Sequence, residues 1–191
     1  MSKFSSNKVW HNNLYLLLTA VMFIFTALLN VSNILTFCSF IYVLVVLTAN
    51  LMSEIYGKKK TIQAVILCVV INVVLLWNSK YYINNIDISI ILFGSLLSVL
   101  LSTYCGVNVF LKLKPAYNLH IRSFISLILC SVIDCTIMAG FLLSKFPAYN
   151  VLFIFVQDIM FKFLYSLAIS FCLLLVFYFL QQFKNLRKTE F

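Results

Sequence analysis

Long, unbroken runs of apolar residues dominate the chain, and short polar breaks separate them. Because the apolar positions are continuous and do not alternate, they favour buried helices over the strands of a membrane barrel. Each run approaches or exceeds the ~20 residues that a helix needs to cross the hydrocarbon core of a bilayer. The pattern predicts six transmembrane helices, at residues 14–32, 37–56, 62–79, 87–111, 121–144 and 150–181.

Composition places these helices in a membrane. Of the 191 residues, 63% are hydrophobic and only 10% are charged, whereas a soluble domain keeps roughly a quarter of its residues charged. A single soluble core of this size cannot hide so much apolar surface, but a bilayer solvates it. We therefore predict an all-α, polytopic membrane protein, built as a compact bundle of six transmembrane helices.

Basic residues are distributed unequally between the two sides that these helices define. One side carries Lys3, Lys8, Lys58, Lys59, Lys60, Lys112, Lys114, Arg122, Lys184, Arg187 and Lys188. The other side carries only Lys80 and Lys145. By the positive-inside rule, both termini are predicted to lie in the cytoplasm. The predicted organisation is a cytoplasmic segment at 1–13, a transmembrane domain at 14–181 and a cytoplasmic tail at 182–191, in the inner (cytoplasmic) membrane.

Several classes of function are disfavoured. The net charge of +9 would suit nucleic acid in a soluble protein, but here the basic residues lie in short connections and act as topology determinants. The six cysteines form no CxxC pair, so they predict neither a disulfide framework nor a zinc site. No phosphate-binding glycine loop and no HExxH motif is present. We expect no metal, no cofactor, no nucleic-acid partner and no enzymatic activity.

Asp134 is the most informative of the polar residues that lipid would reject. A charge at the bilayer centre costs on the order of 3 kcal/mol on insertion scales, and Asp134 lies deep in the fifth apolar run. It shares a spacing of four residues with Ser126 and Cys130, which predicts a narrow polar stripe on one helix face. The stripe indicates either a structural hydrogen bond to a neighbouring helix or a substrate site.

A second polar set lies at the ends of the second apolar run. Asn50 and Glu54 are one helical turn apart, so they share a face, and Glu54 is also four residues before Lys58. These residues predict either an ion pair at the membrane interface or the lining of a substrate vestibule. Asn33, in the polar break before this run, is a further candidate for substrate binding.

The sixth apolar run opens with Gln157, Asp158 and Lys162. The spacing of Asp158 and Lys162 predicts a local ion pair, which is either structural or exchanges partners when substrate or a proton enters. Small residues at a spacing of four in the fourth run predict close helix packing: Gly94, Ser98, Ser102 and Gly106.

Four local strings carry a family resemblance. They are LTANLMSEIYGKKK (47–60), NVFLKLK (108–114), RSFIS (122–126) followed by SVID (131–134), and QDIMFK (157–162). Together they resemble the queuosine precursor transporters, a family of the vitamin uptake transporter group. Glu54 and the Tyr56-Gly57-Lys58 ending match the second-helix motif, while Asn50 stands where an acidic residue is usual.

The resemblance implies uptake of queuine or a related 7-deazaguanine. Such a base presents a guanine-like edge with two neighbouring N–H donors, which a carboxylate accepts through two parallel hydrogen bonds. Asp134 or Glu54 could supply that carboxylate, and Asn50 or Gln157 could bind the exocyclic carbonyl. The candidate substrate-binding residues are Asn33, Asn50, Glu54, Asp134, Gln157, Asp158 and Lys162.

Three kinds of protein remain open at this point. The first is a stand-alone carrier for a deazapurine, and the second is a substrate-binding subunit of an energy-coupling-factor vitamin transporter. The third is an intramembrane enzyme or assembly scaffold, which the residues favour least. The expected partners are the small-molecule substrate and the lipid bilayer, and a homodimer is left open.

Overall fold

Helices form almost the whole chain in the computed structural model, which describes residues 2–32, 34–77, 82–83, 86–87 and 89–189. Its helices are α1 (Ser2–Val31), α2 (Leu35–Trp77), α3 (Ser89–Lys112), α4 (Leu119–Leu143) and α5 (Ala148–Thr189). Two short antiparallel strands, β1 (Tyr82–Ile83) and β2 (Ile86–Asp87), lie between α2 and α3.

The prediction of six separate helices is wrong. Among the described residues, five helices are long and apolar enough to cross a membrane. The predicted second and third helices are the two halves of one element, α2, because only Gly57 departs from helical geometry between them and Lys58–Lys60 are already helical. The kink is confined to Gly57, whose φ of 80° and ψ of 169° are non-helical. Glycine adopts this conformation at no steric cost because it has no Cβ.

Before the kink, α2 runs antiparallel to α1. Near Gly57, the Tyr56 hydroxyl donates to the backbone carbonyl of His11 at 2.8 Å. At the start of α2, the Cys38 thiol lies 3.8 Å from the carbonyl of Leu29, near the end of α1. The first half of α2 therefore begins where α1 ends and finishes beside the beginning of α1.

After the kink, α2 runs parallel to α1. The Tyr15 hydroxyl donates to the carbonyl of Lys60 at 3.2 Å, and further along both helices the Asn72 amide donates to the Thr26 hydroxyl at 2.9 Å. The two halves of α2 therefore run in opposite directions, and Gly57 is the turn between them.

The outer surface is apolar and part of the interior is polar. Trp10, Phe153 and Leu164 are each more than half exposed, whereas Asn50 and Ser126 are fully buried. Water favours the opposite arrangement, because exposed apolar surface is costly there. Lipid accepts the apolar side chains, and the bundle interior provides hydrogen-bond partners for the polar ones.

Small side chains bring α3 and α4 into close contact. The Ser126 hydroxyl donates to the carbonyl of Gly106 at 3.0 Å, and the Cys130 thiol lies 3.2 Å from the carbonyl of Ser102. Side chains that reach the backbone of the next helix require closely packed axes, as the small-residue stripe of the fourth apolar run predicts. The two stripes run antiparallel and fix the register of α3 against α4.

Helix α5 runs back toward the kink of α2. Asp158 lies 2.6 Å from the Ser39 hydroxyl at the start of α2, and farther along α5 the Phe163 ring meets Phe124 near the start of α4. We call the end of the bundle that holds Gly57 and Lys114 the basic end, and the opposite end the far end. The beginning of α1 and the later part of α5 both point to the basic end; the cytoplasmic assignment of that end stays a prediction.

Substituting Gly106 with alanine should destabilise the bundle. An added Cβ would collide with the Cys130 sulfur and approach the Ser126 hydroxyl, which pushes α3 away from α4. We expect a loss of about 1–3 kcal/mol in the free energy of unfolding, the usual cost of overpacking. The measurement is the midpoint of thermal unfolding of the purified protein in detergent.

Gly140→Ala is the matched control, because nothing lies within 4 Å of an added Cβ there. This control should be neutral or stabilising by up to ~1 kcal/mol through helix propensity. Adding Cys130→Ala to Gly106→Ala should recover part of the loss. Equal midpoints for the two single alanine variants would contradict the close contact.

Candidate functional site

A buried ion triad of Lys162, Asp134 and Asp158 lies inside the bundle. The Lys162 ammonium contacts Oδ2 of Asp134 at 2.5 Å and Oδ2 of Asp158 at 2.5 Å. Lys162 is 3% exposed and Asp134 is 4% exposed, so the pairing replaces the water that these charges have lost. The predicted pair within α5 is confirmed, and α4 supplies a second carboxylate that local spacing does not indicate.

Serine hydroxyls from two other helices contact the carboxylate oxygens that Lys162 leaves free. Ser98 of α3 lies 2.5 Å from Oδ1 of Asp134, and Ser39 of α2 lies 2.6 Å from Oδ1 of Asp158. Each carboxylate therefore has one oxygen toward Lys162 and the other toward a serine. Four helices, α2 to α5, meet at this point.

Tyr42 and Cys135 occupy the remaining space around the ammonium. Lys162 Nζ lies 4.5 Å from the centroid of the Tyr42 ring, a cation–π contact, and 3.4 Å from the Cys135 sulfur. The Tyr42 hydroxyl lies 2.8 Å from the Ser102 hydroxyl. The ring of Tyr42 is thereby held beside the triad.

A cavity of about 150 Å³ adjoins the triad on the side of the far end. Asp134, Asp158, Lys162 and Tyr42 line it together with apolar residues that lie nearer the far end: Leu29, Leu35, Met138, Leu142 and Ile154. The volume is below the ~300–1,000 Å³ typical of sites for drug-sized ligands. It suits a small ligand or a few waters beside the charged groups.

The route from the triad to the basic end is closed by two layers. The first layer is Tyr42, which also bonds the carbonyl of Cys130 at 2.8 Å. The second layer lies farther toward the basic end, where the Ser126 oxygen lies 3.2 Å from Oδ1 of Asn50. Tyr42, Asn50 and Ser126 are fully buried, so both layers exclude water.

A second charged cluster caps this closed route. Arg122 Nη2 lies 2.8 Å from Oε2 of Glu54, and Lys114 Nζ lies 3.3 Å from Oε1 of the same carboxylate. The Arg122 guanidinium also lies 4.4 Å from the centroid of the Phe110 ring. The alternative of a Glu54–Lys58 pair is wrong: among the described residues the ion-pair partners of Glu54 are Arg122 and Lys114, because the kink interrupts the helix before Lys58.

Arg122 in this cluster and Asn50 in the neighbouring layer have donors without partners. Among the described residues, no hydrogen-bond acceptor meets Nε or Nη1 of Arg122 or the Nδ2 atom of Asn50. Arg122 is 5% exposed and Asn50 is fully buried. Unpartnered buried donors are costly, so these groups gain most from an acceptor that arrives with a ligand, with water or with a conformational change.

The seven predicted site residues fall into different places. Asp134, Asp158 and Lys162 form the triad, whereas Asn50 and Glu54 lie about two to three helical turns away, on the route to the basic end. Gln157 is half-buried and is outside the set that lines the cavity. Asn33 lies outside the described residues.

Sequence reasoning missed several residues of these two sites, among them Lys114 and Cys135. Ser98 was assigned to packing and Arg122 to topology, although Arg122 continues the four-residue spacing of the Asp134 stripe. Ser39 and Tyr42, one turn apart on α2, carried a weaker signal in a chain with many serines and ten tyrosines. Their roles depend on contacts between helices far apart in sequence.

A metal ion has a candidate ligand set within the triad. Asp134, Cys135 and Asp158 place their ligand atoms within 4.8 Å of one another. The Lys162 ammonium, however, lies within hydrogen-bond distance of all three. This cation already neutralises the position that a metal would take, so the arrangement fits an internal ammonium better than a resident ion.

Removing the charge of Glu54 should destabilise the protein more than removing the charge of Lys114. Glu54→Gln leaves the buried Arg122 without a counter-charge, and we expect the free energy of unfolding to fall by roughly 2–3 kcal/mol. This is less than the ~3–5 kcal/mol lost when a fully buried pair is broken, because the Glu54 side chain is 29% exposed. Lys114→Gln removes a half-exposed partner and should cost about 0–1 kcal/mol. Thermal unfolding of both variants in detergent measures the difference, and equal losses would refute the importance of the Arg122 pair.

A comparison with known families identifies the relationship of the chain. The family model described as "Putative vitamin uptake transporter" matches residues 36–180. This range includes all the residues of the triad and of the Glu54–Arg122 cluster. Searches of curated proteins and of solved structures returned no match. The chain is a multi-pass membrane protein, and it belongs to the vitamin uptake transporter family.

Proposed function

We propose that the chain imports a queuosine precursor, queuine or a related 7-deazaguanine, across the cytoplasmic membrane. The observation that carries this proposal is the position of the ion triad, which is buried among four helices and lines a cavity. Buried charges inside a membrane bundle are costly and typically mark a substrate or ion pathway. The family supports a transporter, and the motif strings support a deazaguanine.

Binding in this proposal is an exchange of hydrogen-bond partners. Both oxygens of Asp134 are engaged, one by Ser98 and one by Lys162. A guanine-like edge offers two parallel N–H donors and replaces the Lys162 bond to Asp134, while Lys162 stays paired with Asp158. The ammonium then keeps one counter-charge throughout, which lowers the cost of admitting the ligand.

The two closed layers indicate toward which end of the bundle the cavity opens. The cavity extends from the triad toward the far end, and the Tyr42 layer and the Asn50–Ser126 layer separate it from the basic end. Alternating access requires these layers to open while the far end closes. In the proposed cycle, the substrate enters from the far end, and breaking the Glu54–Arg122 pair accompanies release at the basic end.

Uptake of labelled queuine into liposomes that contain the purified chain tests the proposal. Asp134→Asn and Lys162→Met should each lower the initial rate at least tenfold, because a hydrogen bond to a charged group is worth roughly 1.5–3 kcal/mol. Thr136→Val is the matched control, since Thr136 is exposed on the same helix, two residues from Asp134; its rate should be unchanged. Unlabelled guanine should compete less well than queuine.

The same assay separates the carrier from the subunit of a larger transporter. Uptake by the purified chain alone supports the carrier. Specific binding of queuine without uptake would instead support a substrate-binding subunit that requires a partner with ATPase activity. If neither binding nor uptake of a deazaguanine occurs, the proposed substrate is wrong.

The accessibility of two native cysteines tests the direction of opening. Cys38 lines the cavity, whereas Cys130 is fully buried behind Tyr42. In variants that keep only one of these cysteines, a membrane-impermeant thiol reagent should modify Cys38 from the far end, and queuine should slow that reaction. Cys130 should stay unmodified, and faster labelling of Cys130 than of Cys38 would reverse the proposed polarity.

A further inference from the structure

The triad carries an uncompensated charge when all three groups are ionised. Two carboxylates face one ammonium, which leaves one net negative charge among side chains that are largely buried. The remaining titratable groups that face it are neutral at ordinary pH: Tyr42 and Cys38 from α2 and Cys135 from α4. Helix α3 contributes the hydroxyl of Ser98, and α1 contributes the apolar Leu29.

The serine contacts indicate where one more proton fits. The Ser98 oxygen lies 2.5 Å from Oδ1 of Asp134 and 2.8 Å from the carbonyl of Ser95. A hydroxyl has one hydrogen and two lone pairs, so it cannot donate to both acceptors at once. If Oδ1 of Asp134 carries a proton, the carboxyl donates to Ser98, and Ser98 donates to the carbonyl.

The same arrangement recurs at the other carboxylate. The Ser39 oxygen lies 2.6 Å from Oδ1 of Asp158 and 2.8 Å from the carbonyl of Leu35. One hydroxyl hydrogen again faces two acceptors. Either carboxylate can therefore hold an extra proton with every polar atom satisfied, while Oδ2 of both remains bound to Lys162.

We infer that the triad exchanges one proton for one positive charge on the ligand. In the empty site, one proton is shared between the two serine-backed carboxyl groups and makes the triad neutral. A ligand with a protonated amine supplies that charge instead, and the carboxyl proton leaves to water. The inference rests on the proposed function for the identity of its ligand, and it makes substrate binding sensitive to pH.

The empty site is tested first, without any ligand. Infrared difference spectra of the purified protein should show one carboxylic-acid C=O stretch near neutral pH that disappears at high pH. Asp134→Asn and Asp158→Asn each leave one carboxylate opposite Lys162, so each should remove that band. Glu54→Gln removes a carboxylate outside the triad and should leave the band in place.

Serine variants keep the test decisive where a charge variant fails to fold. Ser39→Ala and Ser98→Ala remove the oxygen that accepts the acid proton, so the band should disappear at a lower pH than in the unaltered protein. A shift to higher pH would mean that the serines stabilise the ionised carboxylates. That result, or an acid band missing from the unaltered protein, overturns the inference.

The ligand test uses two probes that differ in charge. Titration calorimetry in buffers of different ionisation enthalpy counts the protons released when 7-aminomethyl-7-deazaguanine binds, compared with the neutral 7-cyano-7-deazaguanine. We expect the amine to release about one proton more than the nitrile. Asp158→Asn should weaken binding of the amine roughly tenfold to a hundredfold, which corresponds to the loss of one charge-assisted hydrogen bond. Binding of the nitrile should change little.

The calorimetry distinguishes a failure of the proton exchange from a failure of the proposed substrate class. If the amine binds without releasing a proton, the exchange is refuted, while the proposed substrate class stands. If neither probe binds, the proposed substrate class falls, and the ligand-free infrared spectra alone decide whether the triad holds an exchangeable proton.

Discussion

The contact of one ammonium with two carboxylates organises the membrane core of this protein. A charge at the bilayer centre costs on the order of 3 kcal/mol on insertion scales, so three charges tolerate burial only when they neutralise one another. Asp134 comes from α4 and Asp158 and Lys162 from α5, while the serines that complete them come from α2 and α3. The correct position of each of these helices is therefore a condition for satisfying the buried charges.

The close contact of α3 and α4 positions Asp134 for this role. Gly106 and Ser102 accept hydrogen bonds from Ser126 and Cys130, and the same register, continued one turn beyond Ser102 and Cys130, places Ser98 beside Asp134. Weak contacts between small side chains thus set the geometry of a strong one. Larger residues in the stripe would move α3 away from α4 and so separate Ser98 from Asp134. Packing between these two helices therefore controls the geometry of the triad.

Sequence alone predicts a large part of this arrangement, and the reasons for its failures are physical. Apolar run length predicts the helical segments, and the spacing of Asp158 and Lys162 predicts their pair, because both depend on neighbours in sequence. The sequence predicts a connection that includes lysines 58–60, whereas the reversal within α2 is confined to Gly57. The partners of Glu54 and Asp134 come from other helices, and no local pattern fixes such a contact.

The two charged clusters have opposite excess charges, and their separation explains why the triad needs neutralisation of its own. Ionised Glu54 with Arg122 and Lys114 leaves one positive charge, whereas the triad leaves one negative charge. Arg122 and Asp134 are twelve residues apart on α4, about 18 Å, so their attraction is only about 1 kcal/mol at an effective dielectric constant near 20. A charge in direct contact acts several times more strongly. The distant cluster can therefore bias the direction in which a charged ligand moves, but only a proton or a cationic group inside the cavity can neutralise the triad.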